Sequence, residues 1–181
     1  VAKKHLGIED LFDMLSIVMN VVCASCKRKD MLREIQKEKV REAIGNSDIK
    51  TRKGLNQELT LVRAGDTRWS SHYKSILSLV ALFPSVVEVL KYVQEEGESS
   101  NRLQANGILL YFESFDFVFY LHLMLHILGL TNSLSQALQR KDQDILEVVS
   151  LVKATKRQLQ KFRENGFDPL LEKEVSPFCE K

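Results

Sequence analysis

The chain has 181 residues, of which 44% are hydrophobic, and its formal net charge is +2. This length and apolar content are enough for one ordinary domain with a buried core. Only eight Gly and three Pro occur, and this scarcity of turn-forming residues argues against a many-stranded sandwich or barrel and for long helices.

The charge is unevenly distributed along the chain. Residues 1–75 carry 15 Lys and Arg against 10 Asp and Glu, a balance of +5, whereas residues 76–181 carry 11 against 14, a balance of −3. A nucleic-acid partner is therefore expected on the first half. The first residue is Val and not Met, so the chain is expected to be a fragment or to have a trimmed start.

The cysteines at positions 23, 26 and 179 are odd in number and give no disulfide framework of the secreted type. Because no signal segment is found, we expect reduced thiols in an intracellular protein. The most apolar run, from about Phe115 to Leu130, contains an Asp and two His and falls short of the ~20 residues of a membrane span. It is predicted to be a buried core helix, with no membrane partner.

Apolar residues three and four positions apart predict a first helix from about Ile8 to Cys26, whose acidic start suits the helix dipole. A charged continuation, Lys27 to Ile44, carries acids and bases that pair at a spacing of three, which is typical of a solvated helical arm. Residues 50–58 are predicted to form a polar loop, and residues 59–63 an extended lead-in or a strand.

Thr67 is suited to cap a helix at residues 68–82, after which Pro84 is predicted to start a new helix that ends near residue 96. Gly166 and then Asp168-Pro169 are predicted stops. Three further helices are predicted at residues 102–113, 115–138 and 142–165. On the last helix, the side chains predicted to face inward are Ile145, Val148, Val149, Val152 and Leu159, and those predicted to face outward are Lys153, Lys156, Arg157, Lys161 and Arg163.

The predicted fold class is therefore all-α, with about six helices. Three parts are expected along the chain. Residues 1–66 form an N-terminal helical arm and basic loop, residues 67–166 form a helical core, and residues 167–181 form a C-terminal tail.

Two spacings are similar to metal-binding patterns. Cys23 and Cys26 have the spacing of half a zinc site, but no second close pair follows, so two packing cysteines on a helix are expected. His122 and His126 share one helical face, but Leu123 replaces the Glu that serves as the base in zinc proteases. A polar strip in or beside the core is expected there, with no metal and no cofactor.

The segment at residues 67–71, Thr-Arg-Trp-Ser-Ser, contains the only tryptophan of the chain. Trp69 offers a flat ring and Arg68 a permanent cation, so the pair can stack on a base and hold a phosphate. The same pair can instead anchor the start of a helix against a core. The chemistry of the residues leaves both alternatives open.

Two segments carry a resemblance to a known family. Residues 65–73 read Gly-Asp-Thr-Arg-Trp-Ser-Ser-His-Tyr, and a helical block follows from Phe-Asp-Phe-Val-Phe at residues 115–119 to Asp-Ile at residues 144–145. In this order and spacing they resemble hAT-type DNA transposases, especially the plant type related to MYM-type zinc finger proteins. The resemblance extends from about Leu11 to Arg163.

The resemblance implies an insertion-domain-like helical bundle of an RNase H-like transposase in the nucleus. The Asp, Asp and Glu residues that hold the catalytic metal ions in the family would lie outside this chain, so it would not be an enzyme by itself. Its partner in the intact protein would be DNA at the transposon end. The residues implied to bind DNA are Arg68 and Trp69, with Lys74, Arg63 and the cluster at residues 50–53 extending a basic track.

An alternative stays open at this point. The chain could be a domesticated module without DNA activity, which binds another protein or forms a homo-oligomer through the apolar stripes of its first and last helices.

Overall fold

The structure is a computed structural model that describes residues 5–45, 59–65, 69–140 and 144–179, without the side chains of residues 43–45 and 69. The described residues contain helices and no β-strand, which confirms the predicted all-α class with about six helices. The long helices are α1 (Leu6–Cys23), α2 (Cys26–Gly45), α3 (Trp69–Glu96), α4 (Ser99–Phe112), α5 (Phe115–Leu138) and α6 (Ile145–Asn165). Two short helices follow, α7 (Phe167–Leu170) and α8 (Ser176–Cys179), joined by a π-helical turn at Leu171–Val175.

The chain divides into two compact units that do not follow its order. Unit A consists of residues 1–11, 64–76 and 114–181, and unit B consists of residues 12–63 and 77–113. The boundaries predicted after residues 66 and 166 stay a prediction from the sequence.

Unit B is built from α2, α4 and the parts of α1 and α3 that belong to it. The Lys27 ammonium group donates a 2.7 Å hydrogen bond to the Tyr92 hydroxyl, which joins α2 to α3. The rings of Phe83 and Phe112 lie 5.0 Å apart and join α3 to α4. Lys39 of α2 also pairs with Glu88 of α3 at 2.6 Å, so the predicted helical arm is joined to α3 at two places. The buried hydrophobic residues include Val18, Val22, Leu32, Leu79, Val86, Leu90 and Ile108.

Unit A is organised around α5. Ser114 caps this helix by accepting a 3.2 Å hydrogen bond from the amide of Phe117, whose side chain is buried. Helix α6 and the π-helical turn both contact α5. The start of α3 reaches the same helix, because a Cβ atom added to Gly129 would stand 3.4 Å from the ring of Tyr73.

Two predictions of where a helix starts or stops are wrong. Pro84 lies inside a continuous α3 and does not start a new helix. Its ring removes one backbone hydrogen bond at a cost of about 3 kcal/mol, and burial of Leu82 and Val86 on either side offsets that cost. The stop predicted at Asp168-Pro169 is also wrong, since Pro169 lies in the first turn of α7, where no helical amide bond is lost. Helical backbone continues to Cys179.

Candidate nucleic-acid interface

The structure describes the side chains of only two of the four residues predicted to bind DNA, Lys74 and Arg63. Arg68 lies outside the described residues, as does the basic cluster at residues 50–53, and Trp69 begins α3 with its side chain outside the described part. Lys74 is exposed on α3 in unit A. Arg63 is exposed in unit B, where its guanidinium donates a hydrogen bond to the Asn20 side-chain oxygen. Their joint role around Trp69 stays a prediction.

Ser71 bonds to Gly65 within residues 65–73, which we call the Arg-Trp segment. Its hydroxyl accepts a 2.9 Å hydrogen bond from the amide of Gly65 and donates a 2.9 Å hydrogen bond to the carbonyl oxygen of the same residue. These two bonds hold residues 65 and 71 together. The sequence placed Ser71 in the segment but gave it no role, because a contact across six residues has no local signature.

A cationic surface lies on α6 in unit A. We call it the α6 cationic face, and its members all have exposed side chains. No Asp or Glu occurs from Val148 to Arg163. With 100° between successive helical residues, the five bases fall within an arc of about 160° and span about 15 Å along the axis. The members are Lys153, Lys156, Arg157, Lys161 and Arg163.

The bases of α2 differ from those of α6 in their partners. Arg33 pairs with Asp30 at 3.3 Å, and Lys37 pairs with Glu34 at 2.8 Å. Arg41 likewise pairs with Glu38 at 3.1 Å. Within the described residues no member of the α6 cationic face forms an ion pair. Positive potential is thus neutralised along α2 and accumulates along α6. This surface lies in the second half of the chain, whereas the charge balance of the sequence favoured the first half.

The opposite face of α6 keeps the cationic face turned outward. The rings of His126 on α5 and Phe162 on α6 are stacked, with centroids 4.2 Å apart. Phe162 also lies 5.6 Å from the ring of Phe167 at the start of α7. These contacts attach α6 to α5 and to the C-terminal segment, and the outward orientation predicted for the five bases is confirmed.

The prediction that Ile145 and Val149 face inward is wrong. Ile145 is 77% exposed and Val149 is 44% exposed, and Leu146 beside them is 77% exposed. All three precede the cationic residues on the outward side of α6, because the helical repeat places them within about 80° of Lys153. The outward side of α6 therefore begins aliphatic and becomes basic.

The cysteine pair has a different setting from the one predicted. Cys23 ends α1 and is half-buried, whereas Cys26 begins α2 and is exposed. Burial raises the pKa of the Cys23 thiol, against smaller opposing effects of Lys29 and Arg63. The prediction of two packing cysteines on one helix is wrong for Cys26. Among the described residues, no group of three His, Cys, Asp or Glu could hold a metal ion.

Within the part of the chain that the structure describes, two helices are long and apolar enough to cross a membrane, α3 from Ser70 onward and α5. The apolar run at residues 115–130 was predicted to be too short for a membrane span, but it lies in α5, which has 24 residues and is long enough. Length and composition are weak evidence, because core helices of soluble proteins pass the same test. The absence of a membrane partner stays a prediction.

No protein-family model and no solved structure matches this chain. The family resemblance therefore rests on the residues quoted above.

Proposed function

We propose that this chain is a non-catalytic helical region of a hAT-transposase-derived protein, and that it binds DNA through the α6 cationic face. In the intact nuclear protein it would help to hold and position the transposon end, while catalytic carboxylates outside this chain would cut the DNA. The chain itself would need no cofactor.

The observation that carries this proposal is the positive charge of α6, which forms no ion pair with any described residue. Five exposed bases lie within about 15 Å of helix axis, and no acid from Val148 to Arg163 opposes them. Duplex DNA carries one phosphate charge per about 1.7 Å of axis, so a helix lying along its backbone meets several phosphates over that length. Such contacts give affinity and orientation without reading the base sequence.

The Arg-Trp segment has a second, more specific role in the proposal. Trp69 would stack on a base that has left the duplex, and Arg68 would hold the adjacent phosphate. Ser71 supports this role because its two hydrogen bonds hold residues 65 and 71 together. A segment with tethered ends loses less conformational entropy on binding than a free one.

The proposal is tested by fluorescence anisotropy with a labelled DNA hairpin. The chain should bind the hairpin, and Trp69→Ala should weaken binding by roughly 5- to 150-fold, which corresponds to the ~1–3 kcal/mol of one stacked base. The same substitution should lower the melting temperature little. An unchanged affinity together with a large loss of stability would contradict the stacking role and place Trp69 in a core. A wild-type chain that does not bind DNA would refute the proposed function itself.

A second candidate is an interaction module that self-associates. The exposed side chains of Ile145, Leu146 and Val149 support it, because three neighbouring aliphatic residues on one outward surface are unfavourable in water. Sedimentation equilibrium of the wild-type chain and of Leu146→Gln distinguishes the two candidates. A dimer that Leu146→Gln dissociates would favour the interaction module, whereas a monomer at all concentrations would count against it.

A further inference from the structure

Helix α4 in unit B carries an exposed apolar stripe. Leu103 is 75% exposed and Leu110 is 62% exposed. Gly107 lies between them, and a Cβ atom added to it would meet no described atom within 4 Å. Because the three positions follow one another at helical steps of four and three, they share one face of α4. The opposite face packs into unit B through its buried residues, Ala105, Ile108 and Phe112.

This stripe is unfavourable when it faces water. Two leucine side chains gain free energy when they are removed from water, and a glycine inside a helix is less stable than an alanine. No close contact within unit B requires Gly107, because the space beside it is open among the described residues. A glycine between two larger side chains does allow the backbone of another element to approach closely. The stripe is therefore suited to a second helix packed across Gly107.

A shallow groove lies beside the stripe, between the end of α3 and the start of α4. Its volume is about 370 Å³, and it is lined by Gln94, Ser99, Arg102, Leu103 and Asn106. Two hydrogen bonds hold its walls. The Arg102 Nε atom donates to the carbonyl oxygen of Gln94 at 3.1 Å, and the Gln94 side-chain amide donates to Oδ1 of Asn106 at 2.9 Å. A side chain from a docked helix can therefore enter a groove that is already formed.

The charges at the two ends of α4 indicate which helix fits this face. No charged residue occurs from Leu103 to Phe112. Arg102 precedes this stretch and Glu113 follows it, and both residues are exposed. With 100° between successive helical residues, positions 102 and 113 lie within about 20° of each other, on the same flank of the stripe. The face is thus uncharged in the middle and has opposite charges at its two ends.

We propose that a second copy of this chain covers the stripe, with the two α4 helices packed antiparallel about a two-fold axis beside Gly107. With a rise of about 1.5 Å per residue, Leu103 then lies level with the partner's Leu110 to within about 1.5 Å along the axis. Arg102 lies equally close to the level of the partner's Glu113. An antiparallel two-fold pair brings the same flank of both helices together, so the dimer contains two such charge pairs. The proposal does not depend on DNA binding.

This self-complementary pattern favours a second copy over an unrelated protein. Leucines four residues before and three residues after Gly107 match each other when the helix direction is reversed, and so do the two end charges. A parallel pair would leave both Arg102–Glu113 contacts unformed. Helix α4 has 14 residues and is about 21 Å long, so it buries less than the ~800 Å² per partner of a standard interface. We therefore expect a weak, reversible dimer.

Sedimentation equilibrium of the full chain tests the stripe, at concentrations from roughly 1 µM to 1 mM. The wild-type chain should change from monomer to dimer in this range, and Leu103→Gln and Leu110→Gln should each weaken the dimer at least tenfold. The matched control is Leu77→Gln, which removes a 45% exposed leucine of α3 and should keep the wild-type affinity. Leu146→Gln on α6 should keep it as well. A wild-type chain that stays monomeric would overturn the proposal and leave the stripe to a different protein.

Charge reversal then tests the antiparallel arrangement. Arg102→Glu and Glu113→Arg each place like charges together twice in a homodimer, so each variant alone should self-associate roughly fivefold more weakly or worse. An equimolar mixture of the two variants restores both opposite-charge contacts and should dimerise about as well as the wild-type chain. A mixture that stays monomeric where the wild-type chain is dimeric would overturn the arrangement, as would a dimer that all the substitutions on α4 leave intact. Circular dichroism checks that each variant is folded, and the wild-type measurement needs no substitution.

Discussion

Neutralising part of the α6 cationic face should change how DNA binding depends on salt. The variant replaces Lys153, Arg157 and Lys161 with Gln, which keeps helix-forming side chains and removes three exposed positive charges. Each phosphate neutralised by a base contributes about 0.9 to the slope of log affinity against log salt for duplex DNA. Five contacts therefore give a slope of about −4.5, and two give about −1.8.

These slopes translate into a large difference in measured affinity. Between 50 and 200 mM salt, the wild-type chain should lose roughly 500-fold in affinity and the triple variant roughly 12-fold. The assay is fluorescence anisotropy with a labelled duplex at several salt concentrations. Circular dichroism checks that the variant keeps its helical content.

A matched control removes the same net charge from α2. Arg33, Lys37 and Arg41 are replaced with Gln in this chain, and each of these bases is paired with an acid three residues earlier. The salt slope counts the bases that contact phosphates, and the α2 bases are not proposed to do so, so the control should keep the wild-type slope even though its freed acids lower the overall affinity. If the salt slope decreases equally in both triple variants, the net charge of the chain and not the α6 cationic face governs binding. That result would refute the reasoning above.

Two further predictions concern stability, and both can be measured by urea unfolding. Gly166→Ala should lower the free energy of unfolding by about 1–3 kcal/mol, because the added Cβ would stand 2.5 Å from the Phe162 carbonyl oxygen. Gly107→Ala inside α4 should raise it by about 0.5–1 kcal/mol, because the added Cβ has no atom within 4 Å. Equal effects at both glycines would contradict this prediction. The lowered pKa of His122 means that the unfolded chain binds more protons, so stability should fall as pH drops below about 6.5. His122→Gln should make the loss of stability between pH 7 and pH 5 smaller. Glu174→Gln should make this loss larger, because the carboxylate raises the pKa of His122 and its removal lets that pKa fall further. Identical pH profiles for the wild-type chain and the two variants would contradict the prediction.

Local sequence signals account for most of the helices. The prediction for α5 matches its observed bounds, Phe115–Leu138, because Ser114 provides an N-cap and a long apolar run follows it. The bounds predicted for α1 and α2 lie within three residues of those observed. These elements are specified by periodicity and capping, which depend only on neighbours along the chain.

The predictions that failed depend on contacts between residues far apart in the sequence. Pro84 was predicted to separate two helices, but burial of the residues on either side keeps α3 continuous. The aliphatic residues at the start of α6 fit an inward stripe by type, and nothing in their identity reveals that Ile145 is 77% exposed. A helix pattern states which residues share a face and does not state whether that face has a partner.

The candidate interface was only partly predictable for a similar reason. The five bases of α6 were correctly predicted to face outward, and the pairing along α2 was expected from the spacing of its acids and bases. Only the structure shows that no acid from another element pairs with the α6 bases within the described residues. The contact of Ser71 with Gly65 and the approach of Glu174 to His122 join residues without a common local pattern. The role of Arg68 and Trp69 continues to rest on chemistry and resemblance.

Protection of lysine side chains from acetylation tests the central claim most directly. The chain is acetylated briefly with and without saturating duplex DNA, and modification at each lysine is quantified by mass spectrometry. Binding through the α6 cationic face predicts that Lys153, Lys156 and Lys161 become protected by DNA, while Lys29 and Lys37 on α2 keep their reactivity. Protection confined to α2, or equal modification of all five lysines in both states, would contradict the account.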